Sequence, residues 1–393
     1  MEVSGKILDG ALVIAMPPRI DTTNANEAEE AITAVIDANG EFDKLVLDCD
    51  KMEYISSVGL RVLLRLKKAH DEFELINVSS DVYDILDMTG FTSMMDVQKA
   101  YRVVSIEGCP LIGSGYFGRV YRISPDSIVK MYFRTPGTAM PLKERQRAKM
   151  AFVLGIPTAI SYEVVKIAGT EDTYGSIFEL VDAESMDGIM KAHPERDEEM
   201  GKIYAGLMKT IFDTKVNPSE LPSYKDYTHE WLDVISPHLG PEISEKVAKL
   251  LDSIPDDNYL IHGDCHMKNI FVSNGEPILI DMETISRGNH IFEYAPVYGS
   301  FFIYEIAHPG NDLAFFGLPF EVCKPFFENA LAHVYPNLSD EEREQVYLQL
   351  GFVAACLILY RALSFTPDDN DLIDTSTKII KEGVEKLEKL GLE

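Results

Sequence analysis

Residues 261–285 read IHGDCHMKNIFVSNGEPILIDMETI. His262, Asp264, His266 and Asn269 crowd into a few positions, and the acidic pair Asp281 and Glu283 comes after a short apolar run. Polar groups packed between hydrophobic stretches must find partners or a task. Three architectures compete: a metal site, a catalytic loop, or an ordinary polar hairpin. A zinc site could use His262 and His266, but only if a helix put them on one face. The flanking residues instead run strand, loop, strand, with Gly263 in the middle. Phosphoryl transfer fits better. It needs a carboxylate to orient and deprotonate the attacking hydroxyl, and oxygen ligands for Mg²⁺. Asp264 supplies the first, and Asn269 with Asp281 the second. NIFV and PILI, joined by SNGE, read as a hairpin that brings Asn269 beside Asp281.

Such chemistry requires a nucleotide site upstream. LIGSGYFGRVYRI places Gly113, Gly115 and Gly118 between two strand-like runs, where backbone N–H groups can approach phosphates without Cβ atoms in the way. The glycines lead into another strand and not a helix, so this is no dinucleotide-fold fingerprint. SIVKMY then sets Lys130 in mid-strand, placed to bridge the α- and β-phosphates. An ammonium there needs a carboxylate to fix it, and Glu144 in the next helix is the candidate; Glu163 and Glu171 fall at strand ends.

The chain's periodicity changes twice. Over the first hundred residues, β-rich runs (ALVIAM, KLVLDCD, FELINV) alternate with helical patterns that stop at glycines, which implies an α/β domain with a mixed sheet. From about residue 102 the pattern is β-rich, with one helix (PLKERQRAKMAFVLG), and predicts a five-stranded antiparallel sheet. From about 185 it is mainly helical.

With 393 residues, 46% hydrophobic and 25% charged, the chain has the composition of a soluble protein of two or three domains. A net charge of -28 argues against nucleic acid as a partner. The five cysteines form no close pair, the pattern of reduced thiols in a cytoplasm. MEVSGKILDG lacks the make-up of a signal peptide. The apolar run Leu350 to Tyr360 is too short to span a bilayer and is closed by Arg361, so a buried helix is expected and no membrane span.

HGDCHMKN resembles the H-G-D-x-H-x-x-N catalytic loop of the aminoglycoside phosphotransferase and choline kinase branch of the protein-kinase-like fold. LIDMET resembles that branch's I-D-x-E/D turn. The resemblance covers residues of about 105 to 390 and implies a two-lobed α+β fold: a β-rich nucleotide-binding lobe over 103–183 and a helical lobe over 184–393. It implies ATP and Mg²⁺ as cofactors, Asp264 as catalytic base, Asn269 and Asp281 as metal ligands, and Lys130 paired with Glu144 at the phosphates. Two features depart from the branch. GSGYFG is closer to protein kinases, and IFEYA has Glu293 where an Asp is more usual. The acceptor would be a hydroxyl of a small molecule such as an aminoglycoside, choline or a sugar. SYKDYTHEWLDV and EYAPVYGSFFIYE, rich in aromatics and acids, would suit a cationic one, although most of these residues read as core aromatics and solvated acids.

Residues 1–98 resemble the STAS domain of anti-anti-sigma factors through VLDCDKMEYISSVGLRVLL. Aligning on Gly59 and Leu60 puts Ser57 at that family's phosphoacceptor position, at a helix N-terminus that favours negative charge. Ser56 stands where the family usually has Asp, and a plain N-cap role explains both serines equally well. The domain implies a protein partner or regulation. Two rival functions stay open: a protein kinase acting on a STAS-domain serine, and a non-catalytic scaffold that senses nucleotide. DMET in place of D-F-G weighs against the first, and the full set of transfer groups against the second.

Overall fold

The computed structural model describes residues 3–8, 10–115, 118–180 and 182–392. It forms two compact units, Met1–Ser105 with Val165–Thr170, and Ile106–Val164 with Glu171–Glu393.

The first unit is an α/β domain. Its sheet runs Ser4–Leu8, Ala11–Ala15, Lys44–Asp48, Phe73–Val78, Asp96–Lys99 in spatial order. The first pair is antiparallel and the rest parallel. Helices Ala25–Asn39, Ser57–Ala69 and Ser80–Met88 make the crossovers. Alternation along Ala11–Ala15 buries Leu12 and Ile14, which meet Leu45, Leu47, Leu75, Ile32 and Leu63 in the core. The mixed sheet is the one the pattern predicts, with two edge strands added. The last of them ends at Lys99, one residue past the 98 boundary.

Ser56 N-caps the Ser57–Ala69 helix, its hydroxyl accepting from the Gly59 N–H at 3.4 Å, while Ser57 is exposed on the first turn. Ser56→Ala is therefore expected to lower stability by about 1 kcal/mol. Ser57→Ala should stay within about 0.5 kcal/mol of the parent. Urea denaturation of both variants reads this difference.

In the second unit, strands Leu111–Ser114, Gly118–Arg122, Ser127–Tyr132 and Tyr174–Glu179 are joined antiparallel. Ser161–Ile167 flanks Tyr174–Glu179. Its last residues, Lys166 and Ile167, count with the first unit and pair in parallel with Val103 and Val104, so the purely antiparallel five-stranded expectation is corrected there. The expected strand YRVVSI does form, at Val103–Val104, but its direction is set by the neighbour it pairs with, which periodicity does not carry. Helix Ala139–Val153 carries Glu144 and Arg147, both buried. The remainder is mainly helical, with short strands that include the hairpin Ile270–Ser273 and Glu276–Leu279, and is centred on the 26-residue helix Asp340–Phe365, which is long and apolar enough to cross a membrane but has Leu350–Leu359 buried in the lobe's own core. A capping box at Ser339 and Glu342 starts that helix.

Candidate active site

Lys130 is built into the sheet's centre. Val120 lies opposite it on one side and Ser176 on the other, and Gly113 pairs with Val120, so the glycine-rich hairpin and the lysine share one line across the strands. Gly118 begins its strand where an added Cβ would meet the Met131 carbonyl oxygen at 2.8 Å, a contact no side chain tolerates. Gly115 donates its N–H to the Gly118 carbonyl at 2.9 Å and closes the hairpin. Tyr116 and Phe117, the rest of the GSGYFG motif, lie outside the described residues.

The Lys130 ammonium is 14% exposed and faces three carboxylates: Glu144 at 2.9 Å, Asp281 at 2.8 Å and Glu283 at 3.6 Å. Burial alone would push the lysine pKa down, but Glu144 and Asp281 hold it well above the ordinary value. Burial raises Glu144, opposed by the charge of Lys130, and the Tyr132 hydroxyl donates to the same oxygen, Oε2, that lies 2.9 Å from Lys130. Burial likewise works to raise Asp281, yet Lys130 brings it below the usual carboxylate range. Glu283 is pushed up to about 7 by burial and by the neighbouring charge of Asp281. Arg147 donates to the Glu283 carbonyl and ties the Ala139–Val153 helix to this turn.

Asp281 itself adopts a left-handed conformation (φ 66°, ψ 60°), unusual for a residue with a Cβ. That backbone turns its carboxylate from the hairpin's end toward Lys130. The hairpin pairs Ile270 with Leu279 through a two-residue turn in which Asn274 and Gly275 both have positive φ. The Asn269 carbonyl accepts from the Ile280 N–H at 2.9 Å, so Asn269 and Asp281 are brought side by side. The Asn269 amide nitrogen donates to the Asp264 carbonyl at 2.9 Å and to its carboxylate at 3.0 Å, which leaves the amide oxygen as the free ligand atom.

The loop that carries Asp264 is held from beneath. His262 is buried; its Nδ1 accepts from the Asp264 N–H at 3.3 Å and its Nε2 donates to the Ile280 carbonyl at 3.1 Å. Burial also lowers its pKa, so the ring is neutral and both nitrogens are engaged, which removes His262 as a metal ligand. It fixes the span between Asp264 and Asp281. Gly263 has φ 78°, and a Cβ there would strike the Tyr224 ring at 2.9 Å. Glu293, fully buried, accepts from the N–H groups of His262 (2.6 Å) and Gly263 (2.9 Å). Thr284 donates to the His262 carbonyl at 2.5 Å. Among the described residues the acidic group able to hold an ion is Glu144, Asp281 and Glu283, with ligand atoms within 4.8 Å of one another; no histidine belongs to it.

Glu283 and Glu293 were not among the predicted site residues. The E of the I-D-x-E/D pattern is a signal for Glu283. Glu293 is fixed by contacts some 30 residues away in the chain, for which the sequence offers only the oddity of an acid inside IFEYA. Of the aromatics in these two segments, Tyr224, Trp231, Tyr294 and Phe301 are core residues, as the sequence reading expects of most of them: the segments form packed helices whose aromatic faces point inward.

Burial lifts Glu293 from 4.5 to about 7. Between those values the folded chain keeps a proton that the unfolded chain has released, so this contribution to stability is complete below about pH 4.5 and is lost as pH rises through about 7. A falling thermal midpoint is expected from pH 5 to 8; Glu293→Gln, which keeps the accepting oxygen, should make the fall shallower, and the remainder belongs to Glu283 and Asp312, which burial also pushes up to about 7. Differential scanning calorimetry across that range checks both.

A β-rich lobe presenting a carboxylate-paired lysine, and a helical lobe presenting an acid–amide loop beside an acidic turn, define a phosphotransferase of protein-kinase-like fold. A model of the phosphotransferase enzyme family matches residues 109–316, and the chain belongs to that family, an ATP-dependent class of transferases. Two solved structures of thermostable mutants of aminoglycoside phosphotransferase APH(4)-Ia share the fold. One is a ternary complex with ADP and hygromycin B, the other with AMP-PNP and hygromycin B. Each is 12% identical, with a TM-score of 0.50, over 70% of this chain and 93% of theirs. Residues 2–104 match the STAS domain model. A putative anti-sigma factor antagonist, BtrV, from Bordetella bronchiseptica is 31% identical over 101 residues, 25% of this chain and 85% of its own.

Proposed function

We propose that this chain transfers the γ-phosphoryl group of ATP to a hydroxyl of a small molecule, with Asp264 as base, Lys130 and Glu144 at the phosphates under the Gly113–Gly118 hairpin, and Asn269 and Asp281 as Mg²⁺ ligands. The observation that carries the reading is the shared frame. His262 and Asn269 hydrogen-bond Asp264 to the segment that bears Asp281, and Asp281 in turn reaches Lys130. The donor set fits the metal: three carboxylates face one ammonium, a formal excess of two negative charges, and every available ligand atom is oxygen. When bound, Mg²⁺ neutralises phosphate charge.

The chain's own groups orient the reaction. Asp264 is half-buried, and one of its oxygens is fixed by Asn269. The other faces His266 at 3.7 Å and is open to an acceptor hydroxyl. As the acceptor oxygen bonds to phosphorus, the bond to the ADP leaving oxygen breaks and the hydroxyl proton passes to Asp264. In the same reading the protein works in the cytoplasm, where its five free cysteines stay reduced. The STAS domain binds a protein partner, and exposed Ser57 is its phosphate-accepting position.

A screen of ATP consumption over hydroxylated small molecules tests the proposal. Turnover should require a particular acceptor, cease with EDTA and return with Mg²⁺. Full turnover in EDTA, or phosphate appearing only on protein serines, would defeat it.

A further inference from the structure

Two adjacent phenylalanines end the short helix Asn311–Phe315, and their surroundings differ. Phe316 is 2% exposed and packs on Phe301, with ring centroids 4.8 Å apart. Phe315 is 43% exposed. The core takes the apolar volume of this turn from Phe316, so the second ring is not explained by packing. A lone exposed aromatic on a surface would call for no account. Phe315 is different because it is fastened to the loop that carries the base.

The Lys268 ammonium, four residues after Asp264, donates to the Phe315 carbonyl at 2.8 Å and lies 4.5 Å from the centre of the Phe315 ring. His266, two residues after Asp264, meets the rings of Phe315 and Phe316 edge-on, with centroids 5.6 and 5.7 Å apart. A cation over a ring and an edge-to-face pair are both favourable contacts, and together they fix where Phe315 sits.

The direction in which the base opens points the same way. One Asp264 oxygen is bound by the Asn269 amide at 3.0 Å, and the other lies 3.7 Å from the His266 Nε2. The oxygen left to take a proton is therefore on the His266 side, and that imidazole is the one packed against Phe315. The acids of this segment are already engaged. Asp312 is fully buried, and Glu305 accepts from the N–H groups of Gly310 (2.7 Å) and Asp312 (2.9 Å). Beside the base the segment thus offers an aromatic surface and no free carboxylate.

We propose that Phe315 is the acceptor-recognition residue of this site, and that the acceptor is an uncharged hydroxylated molecule whose apolar ring face lies on Phe315 while its hydroxyl reaches the Asp264 oxygen beside His266. This rests on the phosphotransferase reading above and narrows its substrate class to ring-bearing alcohols, either cyclic sugars and cyclitols or alcohols with an aryl group. The C–H face of such a ring leaves water for an aromatic surface at no loss of hydrogen bonds, since its hydroxyls point outward from the edge. An open-chain polyol has no flat apolar face to bury. An ammonium would be repelled by Lys268, which already sits over the ring.

The test is calorimetric titration of the full chain saturated with AMP-PNP and Mg²⁺. The sugar probes are phenyl glucoside, methyl glucoside, sorbitol and glucosamine; the aryl probes are 2-phenylethanol, 1,2-ethanediol and ethanolamine. In at least one series, wild type should bind the uncharged ring-bearing members about tenfold more tightly than the open-chain and cationic ones. The two series show which kind of ring is preferred. Phe315→Ala should abolish the preference and Phe315→Tyr should keep it, with AMP-PNP affinity unchanged in both. The Lys268 bond goes to a backbone carbonyl that alanine retains, so melting curves should stay close to wild type. If the alanine variant does not fold, Phe315→Leu, which fills the space without a flat face, carries the test and should lose most of the preference. The proposal is overturned if no ring-bearing probe binds wild type, if such probes bind no better than open-chain and cationic ones, or if Phe315→Ala and Phe315→Leu bind them as wild type does. The phosphotransferase reading fails separately, if AMP-PNP with Mg²⁺ does not bind wild type.

Discussion

Lys130→Met is expected to lower ATP-dependent turnover by at least about 10²-fold, the scale seen when one preorganised charge aimed at a reacting phosphate or oxyanion is removed. The reason is visible in the site. Lys130 is the cation shared by Glu144, Asp281 and Glu283, at 2.9, 2.8 and 3.6 Å. Its loss leaves those carboxylates facing one another in a largely buried pocket. Removing one partner of a buried charge group typically costs about 3–5 kcal/mol. Here protonation of Glu283, already at about 7, offsets part of that cost. The variant's stability should therefore fall more steeply than that of wild type as pH rises from about 6 to 8. Mg²⁺ held by the vacated carboxylates would restore some of it, so melting curves with and without Mg²⁺ separate the electrostatic effect from a packing defect. Lys130→Arg keeps the charge but not the compact ammonium, and should recover stability more than turnover. Unchanged nucleotide affinity and turnover in Lys130→Met would remove Lys130 from the phosphate site.

How much of this could be read beforehand depends on chain separation. Asp264, Asn269 and Asp281 lie within one loop and one hairpin, so spacing alone brings them together. Lys130 and Glu144 are a strand and a helix apart, and the expense of a mid-strand ammonium points to its partner. The groups that hold these in place were not legible, because their contacts span the chain. Arg147 reaches the Glu283 carbonyl across 136 residues, and Glu293 reaches the His262 N–H across 31. Sequence patterning also missed the edge strand Ser4–Leu8, whose residues are mostly exposed and carry no buried alternation.

The same reasoning weighs the rival functions. A scaffold that only sensed nucleotide would have no use for a neutral His262 bridging Asp264 to Ile280, or for Glu293 holding the two N–H groups before the base. Both arrangements fix the position of Asp264: Glu293 does so from the residues before it, and His262 by tying it to the segment that bears Asp281. Such rigidity is what a proton acceptor needs, since a base contributes only when it is held within hydrogen-bond reach of the proton it takes.

Asp264→Asn isolates that role. The amide keeps the shape of the side chain and can still pair with Asn269, but it has neither the charge nor the basicity. Loss of a general base costs about 10²–10⁴ in rate. ATP affinity should change little, because the groups assigned to the nucleotide are Lys130, Glu144 and the Gly113–Gly118 hairpin. The decisive measurement is single-turnover transfer of the γ-phosphoryl group of ATP to an identified acceptor, with nucleotide binding followed on the same samples. Asp264→Asn should bind ATP and Mg²⁺ as wild type does and transfer phosphate at least about 10²-fold more slowly; transfer at near wild-type rate would contradict the assignment of Asp264 as the base and the mechanism built on it.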